Sequence, residues 1–314
     1  MQKKILVRGP LLSRSGYGEQ SRFALRALRS RPDLFDIYLL NTPWGNTGQI
    51  AGEAEERGWI NDQLIRTAQY QQMSPGAYDV SLQITIPNEF EILSPINIGY
   101  TAGIETNKAA PQWISACNDK VQKVITISEH SKKVLEQTKY NISTQEGTEI
   151  KDWGITIPVE YVDYPVRSHE PEALDIEFST AKNFLAVSQW GPRKNFENMI
   201  KWFVEEYRDE EDVGLVLKTN CASDSVLDRM QTQHRLGTVL HAFGDRKCKI
   251  HLIHGELTPG QLTWLYTHPT MKAMINIAHG EGFGIPMLEA ASLGLPLVTI
   301  TWSGQMDFIC KKNK

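Results

Sequence analysis

The chain has 314 residues, of which 41% are hydrophobic and 22% charged, and its formal net charge is −4. This length fits about two globular domains, and the mildly acidic balance provides no basic field for nucleic acid or anionic lipid. The apolar run in MQKKILVRGPLL is too short for a signal peptide or a membrane span. Four widely spaced cysteines without a C-x-x-C pair indicate reduced thiols. We therefore expect a cytoplasmic protein that binds no nucleic acid and contacts a membrane at most peripherally.

Short apolar runs alternate with helical patterns through the first half of the chain. Buried strands are predicted at 5–7, 35–40, 80–83, 96–100 and 121–127. Helical spacing predicts helices at 19–30, 60–72, 111–117 and 128–139. Strands rich in Val and Ile that alternate with helices predict parallel sheets made of βαβ units.

The alternation stops at 166–182, a charged stretch without periodicity, and then resumes. Further strands are predicted at 184–187, 213–217, 250–253, 274–277 and 297–300, with helices at 196–207, 224–240, 259–266 and 286–293. Two consecutive α/β units predict two Rossmann-like parallel-sheet domains that face a cleft. The predicted limits are residues 1–166 for the first domain, 167–182 for the linker and 183–314 for the second domain.

The segment RGPLLSRSGYGEQSR places Gly16, Tyr17 and Gly18 in a predicted turn between the first strand and the first helix. This turn is a partial match to G-x-G-x-x-G, a pattern that is weak by itself. A dinucleotide site also requires an acidic residue at the end of the next strand, where Leu40 and Asn41 stand. The sequence therefore disfavours a dinucleotide site here.

A second turn, in FLAVSQWGPRKN at 184–195, carries the adjacent cations Arg193 and Lys194. A basic pair at a strand end can neutralise a departing diphosphate. The alternative is a solvated basic turn before an amphipathic helix.

The most informative segment is HGEGFGIPMLEAASLGLPLVT, at 279–299. Its glycines allow a ligand to approach the backbone, and it leads into a helix predicted to begin at Pro286. Free amides at a helix start, together with the helix dipole, form a diphosphate site. Glu281 lies in the turn and Glu289 one helical turn further on, so the two carboxylates can accept hydroxyl protons from different parts of one ligand. The alternative is a glycine turn with two surface glutamates.

The segment 279–299 closely resembles the signature of glycosyltransferase family 4, in which two glutamates are separated by seven residues. TWSGQMDF at 301–308 also resembles that family's segment after the following strand. The resemblance implies that Glu281 contacts the donor sugar and that Glu289 binds the ribose hydroxyls. It implies backbone amides near the sugar and the diphosphate from Gly282, Phe283 and Gly284.

The segment 184–195 also resembles family 4, where an arginine near the strand end and a lysine later in the turn hold the donor phosphates. Lys194 matches that lysine and Arg193 matches a frequent neighbour, whereas the strand-end arginine aligns with Gln189. Either Arg193 substitutes for that charge or donor binding is weakened. Lys218, at the end of VGLVLK, is a further cation for the cleft, with a capping or solvated role as the alternative.

In the first domain, the turn with Gly16 and Gly18 resembles the family's flexible glycine loop, which contacts the donor diphosphate and borders the acceptor. Tyr17 is thereby a candidate for the acceptor side. The segment 98–135 resembles a strand–turn–helix arrangement of a family subset and places Glu105 at the cleft, with a plain surface glutamate as the alternative. His279 is a further candidate for contact with the donor sugar.

The resemblance implies a GT-B architecture and a retaining hexosyltransferase in which Glu281, Lys194 and Arg193 act on a nucleoside-diphosphate sugar. The acceptor would be a glycan, a lipid-linked molecule or another hydroxyl compound. No cofactor or required metal is implied, and no D-x-D motif stands where a metal-dependent transferase would need one. Family members usually continue through further C-terminal helices, which we do not expect in a chain ending at Lys314.

Two alternatives stay open. A non-catalytic sugar-nucleotide or glycan-binding protein of the same fold is favoured by Gln189 and the short C-terminus, and disfavoured by Glu281, Glu289 and Lys194. A nucleotide-sugar epimerase of similar architecture is the other. The donor base, the sugar, the acceptor and the oligomeric state do not follow from the sequence.

Overall fold

The computed structural model describes residues 2–50, 54–143 and 148–309. Within these residues the chain divides into two compact units. The first unit comprises 2–165, 281–283 and 303–309, and the second comprises 166–280 and 284–302. The domain limits inferred from the sequence stay a prediction, and their outermost residues, 1 and 310–314, lie outside the described part of the chain, as does Cys310.

The described strands are short and most lie in two parallel sheets. The first unit contains β1 (Lys3–Gly9), β2 (Phe35–Asn41), β3 (Val80–Ile84), β4 (Ile96–Tyr100), β5 (Lys123–Thr126), β6 (Tyr140–Ser143), β7 (Glu149–Trp153) and β8 (Val159–Tyr161). The second unit contains β9 (Lys182–Val187), β10 (Val213–Lys218), β11 (Lys249–Ile253), β12 (Met271–Asn276) and β13 (Leu297–Thr299).

The helices alternate with these strands. In chain order they are α1 (Gly16–Arg29), α2 (Ala54–Met73), α3 (Pro111–Lys120), α4 (Glu129–Gln137), α5 (Phe196–Tyr207), α6 (Val226–His241), α7 (Pro259–Thr267), α8 (Ile285–Ser292) and α9 (Met306–Ile309). Short 3-10 turns lie at Pro87–Glu89 and Pro192–Lys194. None of the described helices is both long enough and apolar enough to span a bilayer.

The sheet of the first unit has six strands in the order β2-β1-β3-β4-β5-β8, with every neighbouring pair parallel. Val7 in β1 is fully buried and pairs with Leu39 on one side and Leu82 on the other. The strand order reverses between β1 and β3. In open α/β sheets the crevice at the carboxyl ends of such strands is where ligands bind.

The antiparallel pair β6–β7 was not predicted from the sequence. It joins Tyr140 to Trp153 and Ile142 to Ile150. Most residues of β7 are exposed and polar, so the pair lacks the apolar alternation that identifies strands. The three-residue β8 was missed because it is too short for a periodic signal.

The sheet of the second unit has five parallel strands in the order β11-β10-β9-β12-β13. Leu185 and Leu215 are fully buried in its centre, where Phe196 and Ile200 of α5 pack on one face. Here the strand order reverses between β9 and β12, so these strands flank the topological switch point. The predicted α/β fold with two Rossmann-like sheets is confirmed.

The predicted interruption between the two sheets is also seen. Residues 162–181 contain neither helix nor strand. Glu172 holds part of this segment in place, because its amide donates to the Gly260 carbonyl at 3.0 Å and its carboxylate accepts from Thr258 Oγ1 at 2.6 Å. The segment is therefore irregular but is held to the start of α7 at Glu172.

Candidate functional site

The two loops singled out in the second half of the sequence leave neighbouring strands of the second unit. Residues 188–195 follow β9 and residues 277–280 follow β12, so both lie at the switch point of this unit's sheet. A narrow pocket there has room for about one water molecule, and its polar lining comes from Ser188, Lys194 and Asn276. The pocket is therefore far too small to enclose a nucleotide.

Arg193 connects the two loops directly. Its Nη1 donates to the Gly280 carbonyl at 2.6 Å, and its own carbonyl accepts from the His279 amide at 2.9 Å. Asn195 Nδ2 adds a bond to the Ile277 carbonyl at 3.3 Å. The turn after β9 is thus fastened to the loop after β12, and Arg193 has a structural role beside any role towards phosphate. The predicted candidate His279 is bound through its backbone, and its side chain is exposed.

Lys194 and Lys218 lie on the two sides of the β9 carboxyl end. Lys194 closes the 3-10 turn and lines the pocket, whereas Lys218 is the last residue of β10 and pairs with Val187. The carbonyl of Lys218 accepts from the Ser188 amide at 3.2 Å. Both side chains are half-buried. Two cations therefore belong to the carboxyl edge of this sheet.

Gln189 stands where the resemblance led us to look for an arginine. Its side-chain amide donates to the Cys221 carbonyl at 2.9 Å, which ties it to the loop after β10. Gln189 is exposed and brings no charge. Any charge that replaces the missing arginine must come from neighbours such as Arg193 or Lys194.

Gly284 forms the start of α8. Its φ of 88° is a conformation that glycine adopts without strain, and it serves as the N-cap. No side-chain cap is bonded at this helix start in the part of the chain that the structure describes. The helix therefore begins at Ile285, one residue before the predicted Pro286, because the left-handed glycine can end the turn one position earlier.

Glu289 lies in α8, one turn beyond that start, and is half-buried. The hydroxyl of Tyr266, a buried residue of α7, donates to its Oε2 at 3.2 Å. Burial, and then the negative charge of Glu289, raise the pKa of Tyr266 far above its ordinary value. Tyr266 therefore stays protonated and remains a donor to the carboxylate.

Glu281 and Gly282 belong to the first unit and are held there by backbone bonds. Glu281 is only 5% exposed, and its amide donates to Ser303 Oγ at 2.9 Å. Its carbonyl accepts from Ser303 Oγ at 2.5 Å and from the Gly304 amide at 2.9 Å. A Cβ on Gly282 would stand 2.5 Å from the Ala102 carbonyl oxygen, so only glycine fits this approach. Glu281 is therefore buried, so the alternative of a surface glutamate does not hold at this position, and its contact with the donor sugar stays a prediction.

Phe283 is a core residue of the first unit. Its ring packs 5.4 Å from Tyr164 and 5.4 Å from Phe308, and the residue is 3% exposed. The aromatic side chain thus anchors the glycine-rich segment, which leaves only the backbone of Phe283 for a ligand.

Gly16 and Gly18 lie in the first turn of α1, so the prediction of a flexible glycine loop at these residues is wrong. Ser15 is the N-cap, and its Oγ accepts from the Gly18 amide at 3.0 Å. A Cβ on Gly18 would lie 2.0 Å from the Ser13 carbonyl oxygen, whereas one on Gly16 would meet nothing within 4 Å. Close packing accounts for Gly18, and the capping serine explains why the helix begins earlier than predicted.

Tyr17 turns its side chain towards the first unit's own residues. Its hydroxyl lies 2.8 Å from Thr101 Oγ1, and its ring centroid lies 4.1 Å from that of Trp44. Burial raises the pKa of Tyr17 to about 12, and the charge of the nearby Glu105 contributes to the rise. Tyr17 is therefore a neutral hydroxyl at physiological pH. Glu105 is half-buried, and its charge acts on Tyr17, which is the link that the structure gives between these two acceptor-side candidates.

The described residues contain no cluster of three or more His, Cys, Asp or Glu side chains that would hold a metal ion. Cys117, Cys221 and Cys248 are free thiols, and burial raises the pKa of Cys117 to about 12. A buried thiol with such a pKa is a poor nucleophile.

Sequence reasoning missed two residues that hold the candidate glutamates. Tyr266 bonds Glu289 from α7, and Ser303 bonds Glu281 from a turn 22 residues later in the chain. Nothing in the local pattern around Tyr266 separates it from a core tyrosine. Ser303 lies inside the segment that resembles family 4, but its contact with Glu281 depends on the fold.

No protein-family profile matches the chain. No curated protein matches it by sequence either. Several solved structures do match its fold, and three illustrate the likeness.

HepE from Anabaena, solved in complex with UDP-glucose, shares 13% identity over 98% of this chain and 83% of its own, with a TM-score of 0.58. WaaG, a glycosyltransferase involved in lipopolysaccharide biosynthesis, shares 11% over 99% and 84%, with a TM-score of 0.54. WaaB, a lipopolysaccharide outer core galactosyltransferase, shares 12% over 96% and 81%, with a TM-score of 0.53. Likeness at such identities concerns the fold, and the chain accordingly has the GT-B fold of two Rossmann-like domains.

Proposed function

We propose that this protein is a retaining glycosyltransferase of the family 4 type, which moves a hexose-type sugar from a nucleoside-diphosphate sugar to a hydroxyl acceptor. The observation that carries the proposal is the meeting of residues 188–195 with residues 277–280 at the switch point of the second unit's sheet. The same fold carries bound UDP-glucose in HepE. Both loops were singled out for anion chemistry from their residues alone.

The donor would be bound mainly by the second unit. The N-terminus of α8, which Gly284 leaves without a side-chain cap, offers backbone amides and the positive end of the helix dipole to a diphosphate. Lys194 supplies a charge at the same edge, with Arg193 and Lys218 as further cations. Glu289, oriented by Tyr266, would accept hydrogen bonds from the ribose hydroxyls.

In the reaction, the bond between the sugar C1 and the diphosphate oxygen breaks, and a bond forms between C1 and the acceptor oxygen. The acceptor hydroxyl gives up its proton, so the products are the glycosylated acceptor, the nucleoside diphosphate and a proton. Negative charge grows on the leaving diphosphate, and preorganised donors aimed at that charge lower the barrier. Lys194 and Arg193 are the proposed source of this stabilisation, with the Gly282–Gly284 backbone close to the sugar. The Glu281 carboxylate would orient the donor sugar, and the bonds of its backbone to Ser303 would hold the residue in place.

The acceptor would be a glycan or a lipid-linked sugar bound by the first unit. Tyr17, whose ring packs at a tilt against that of Trp44, and Glu105, whose charge acts on Tyr17, are the proposed contacts. His279 is proposed as a contact to the donor sugar. We propose no cofactor and no required metal, a cytoplasmic location, and no partner other than donor, acceptor and at most a membrane surface.

A binding protein without catalysis is the second candidate, and the neutral Gln189 favours it. An epimerase is the third. Release of nucleoside diphosphate together with a glycosylated acceptor separates the transferase from both, since a binding protein releases neither and an epimerase returns an altered nucleotide sugar.

The first test is thermal unfolding of the protein with UDP, GDP, ADP and their sugar conjugates. A ligand at about 100 times its dissociation constant adds about 2.7 kcal/mol to the free energy of unfolding. We expect one base to stabilise the wild type and Glu289→Ala to lose that stabilisation. Glu211→Ala, at an exposed position of the same unit, is the matched control and should keep it. If no nucleotide stabilises the folded wild type, the proposed donor site is wrong.

A further inference from the structure

Ser303 has an unusual backbone conformation. Its φ is 83°, and the other described non-glycine residues with positive φ are Asp152 and Asn195. Asn and Asp are enriched in the left-handed region, whereas serine is not. Glycine would meet this backbone requirement without strain. The backbone conformation at position 303 therefore favours glycine, yet the residue there is a serine.

The Ser303 hydroxyl both accepts and donates a hydrogen bond, and both bonds go to one residue. It accepts from the Glu281 amide at 2.9 Å and donates to the Glu281 carbonyl at 2.5 Å. The next residue, Gly304, donates its amide to the same carbonyl at 2.9 Å. Three hydrogen bonds thus fix both backbone polar groups of Glu281, the amide and the carbonyl.

The opposite side of this segment is closed by the loop after β4. A Cβ on Gly282 would stand 2.5 Å from the Ala102 carbonyl oxygen, and one on Gly103 would stand 3.1 Å from the Gly282 Cα. A Cβ on Gly304 would stand 1.8 Å from the Gly282 carbonyl oxygen. Backbone therefore packs on backbone on both sides of 281–282, which leaves little freedom to rotate.

The turn that carries Ser303 is itself anchored to the first unit. Asp307 Oδ2 accepts from the Glu129 amide at the start of α4, at 2.6 Å. The Met306 amide donates to the Ser303 carbonyl at 3.1 Å, and the Asp307 amide to the Gly304 carbonyl at 3.2 Å. Ser303 is thus a rigid connection between α4 and the Glu281 peptide.

We propose that Ser303 is a positioning residue for Glu281. Its hydroxyl locks the Glu281 peptide, so the carboxylate leaves the backbone in one direction and meets the donor sugar without reorganisation. This proposal rests on the proposed transferase function. Packing alone does not account for it, because glycine would keep the turn and remove the strain, whereas only the hydroxyl adds bonds to Glu281.

Ser303→Gly tests the proposal, because it removes the hydroxyl and relieves the positive φ together. We expect an unchanged or higher melting temperature, a kcat for sugar transfer lowered about tenfold and a donor KM within about twofold of the wild type. A merely structural serine would give normal kcat in this variant. Asp152→Gly, which relieves a positive φ at an exposed site of the same unit, is the control and should leave kcat unchanged.

Amide hydrogen exchange provides a readout that needs no activity. The Glu281 amide should be strongly protected in the wild type and exchange at least about tenfold faster in Ser303→Gly. If the protection of the Glu281 amide is unchanged in Ser303→Gly, the Ser303 hydroxyl does not lock the Glu281 peptide and the proposal is wrong. Faster exchange with kcat within about twofold of an active wild type overturns the positioning role alone. A wild type that transfers no sugar from any nucleotide donor overturns the proposed function and the positioning role with it.

Discussion

The carboxyl edges of the two sheets hold the same topological position but differ in chemistry. In the first unit, Ser15 bonds the Gly18 amide at the start of α1, and Arg22 Nη1 donates to the carbonyls of Leu11 and Ser13 at 3.1 and 2.9 Å. In the second unit, α8 starts at Gly284 without a bonded side-chain cap among the described residues. At the start of α1 the backbone amide is thus bonded to a side chain of the protein, whereas at the start of α8 no such bond is seen in the described part of the chain.

The difference shows that topology marks a place for a ligand but does not by itself make a site. A helix start whose amide is bound by its own serine has less to offer an anion than one preceded by a left-handed glycine. Lys194 lies at the second unit's edge, the one where α8 begins without a side-chain cap bond among the described residues. The predictions below are ordered by the size of the effect expected from this contrast.

The largest effect is expected from removal of charge at the second unit's edge. Lys194→Ala should lower kcat/KM for sugar transfer by about a hundredfold, because a cation aimed at the leaving diphosphate contributes on this scale. Lys201→Ala, at an exposed position of α5, is the matched control and should have no effect. Steady-state kinetics of nucleoside diphosphate release measure both. A Lys194→Ala enzyme within about threefold of the wild type would remove this residue from the account.

The next effect concerns the contribution of Gly18, at the start of α1 in the first unit, to the free energy of unfolding. Gly18→Ala should lower the free energy of unfolding by about 2 kcal/mol, because the added Cβ meets a carbonyl and overpacking costs about this much. Gly16→Ala adds a methyl group in open space and should be neutral or stabilise by up to about 1 kcal/mol. Urea unfolding measures the pair. Equal effects at the two positions would contradict the packing explanation of Gly18.

A smaller effect is expected at Glu289. Tyr266→Phe removes the hydroxyl that donates to the Glu289 carboxylate and should weaken nucleotide binding about fivefold, as for the loss of one hydrogen bond. Tyr207→Phe, in the aromatic core of the same unit, should leave binding unchanged. Calorimetric titration with the stabilising nucleotide gives both constants. Undiminished affinity in Tyr266→Phe would mean that Glu289 needs no help from α7.

The smallest effect is the acid dependence of stability. Burial lowers the pKa of His130 in the first unit and of His251 and His268 in the second below the ordinary value of 6.5. Below pH 6.5 these histidines therefore bind more protons in the unfolded chain than in the folded chain. The free energy of unfolding should consequently fall as the pH drops below 6.5. Urea unfolding between neutral and mildly acidic pH measures it. His251→Gln should reduce the slope, and a flat profile in the wild type would contradict the assigned shifts.

Much of the fold could be predicted from the sequence because hydrophobic residues recur at regular spacings along most of its strands and helices. Leu185 and Leu215 lie in apolar runs that predict buried parallel strands. The exposed β7 lacks such a run, and the start of α1 was misplaced because its glycines were read as a loop although Ser15 precedes them as a cap.

The candidate site could be predicted only in its parts. Lys194 and Gly284 stood out because the segments that contain them resemble family 4, whereas a basic turn or a glycine turn alone has common structural explanations. That their strands are neighbours depends on strand order, which the sequence does not encode locally. The contacts of Ser303 and Tyr266 with the two glutamates depend on how distant segments pack.

The central claim is that the second unit's edge binds the donor diphosphate. It is tested most directly by amide chemical shifts of the labelled protein during titration with the nucleotide sugar that stabilises it. The account predicts that the largest changes occur at Lys194, Gly284 and Ile285, and that Gly18 changes little because its amide is held by Ser15. Changes concentrated at 16–18, with Gly284 unmoved, would contradict the account and place the anion at the first unit.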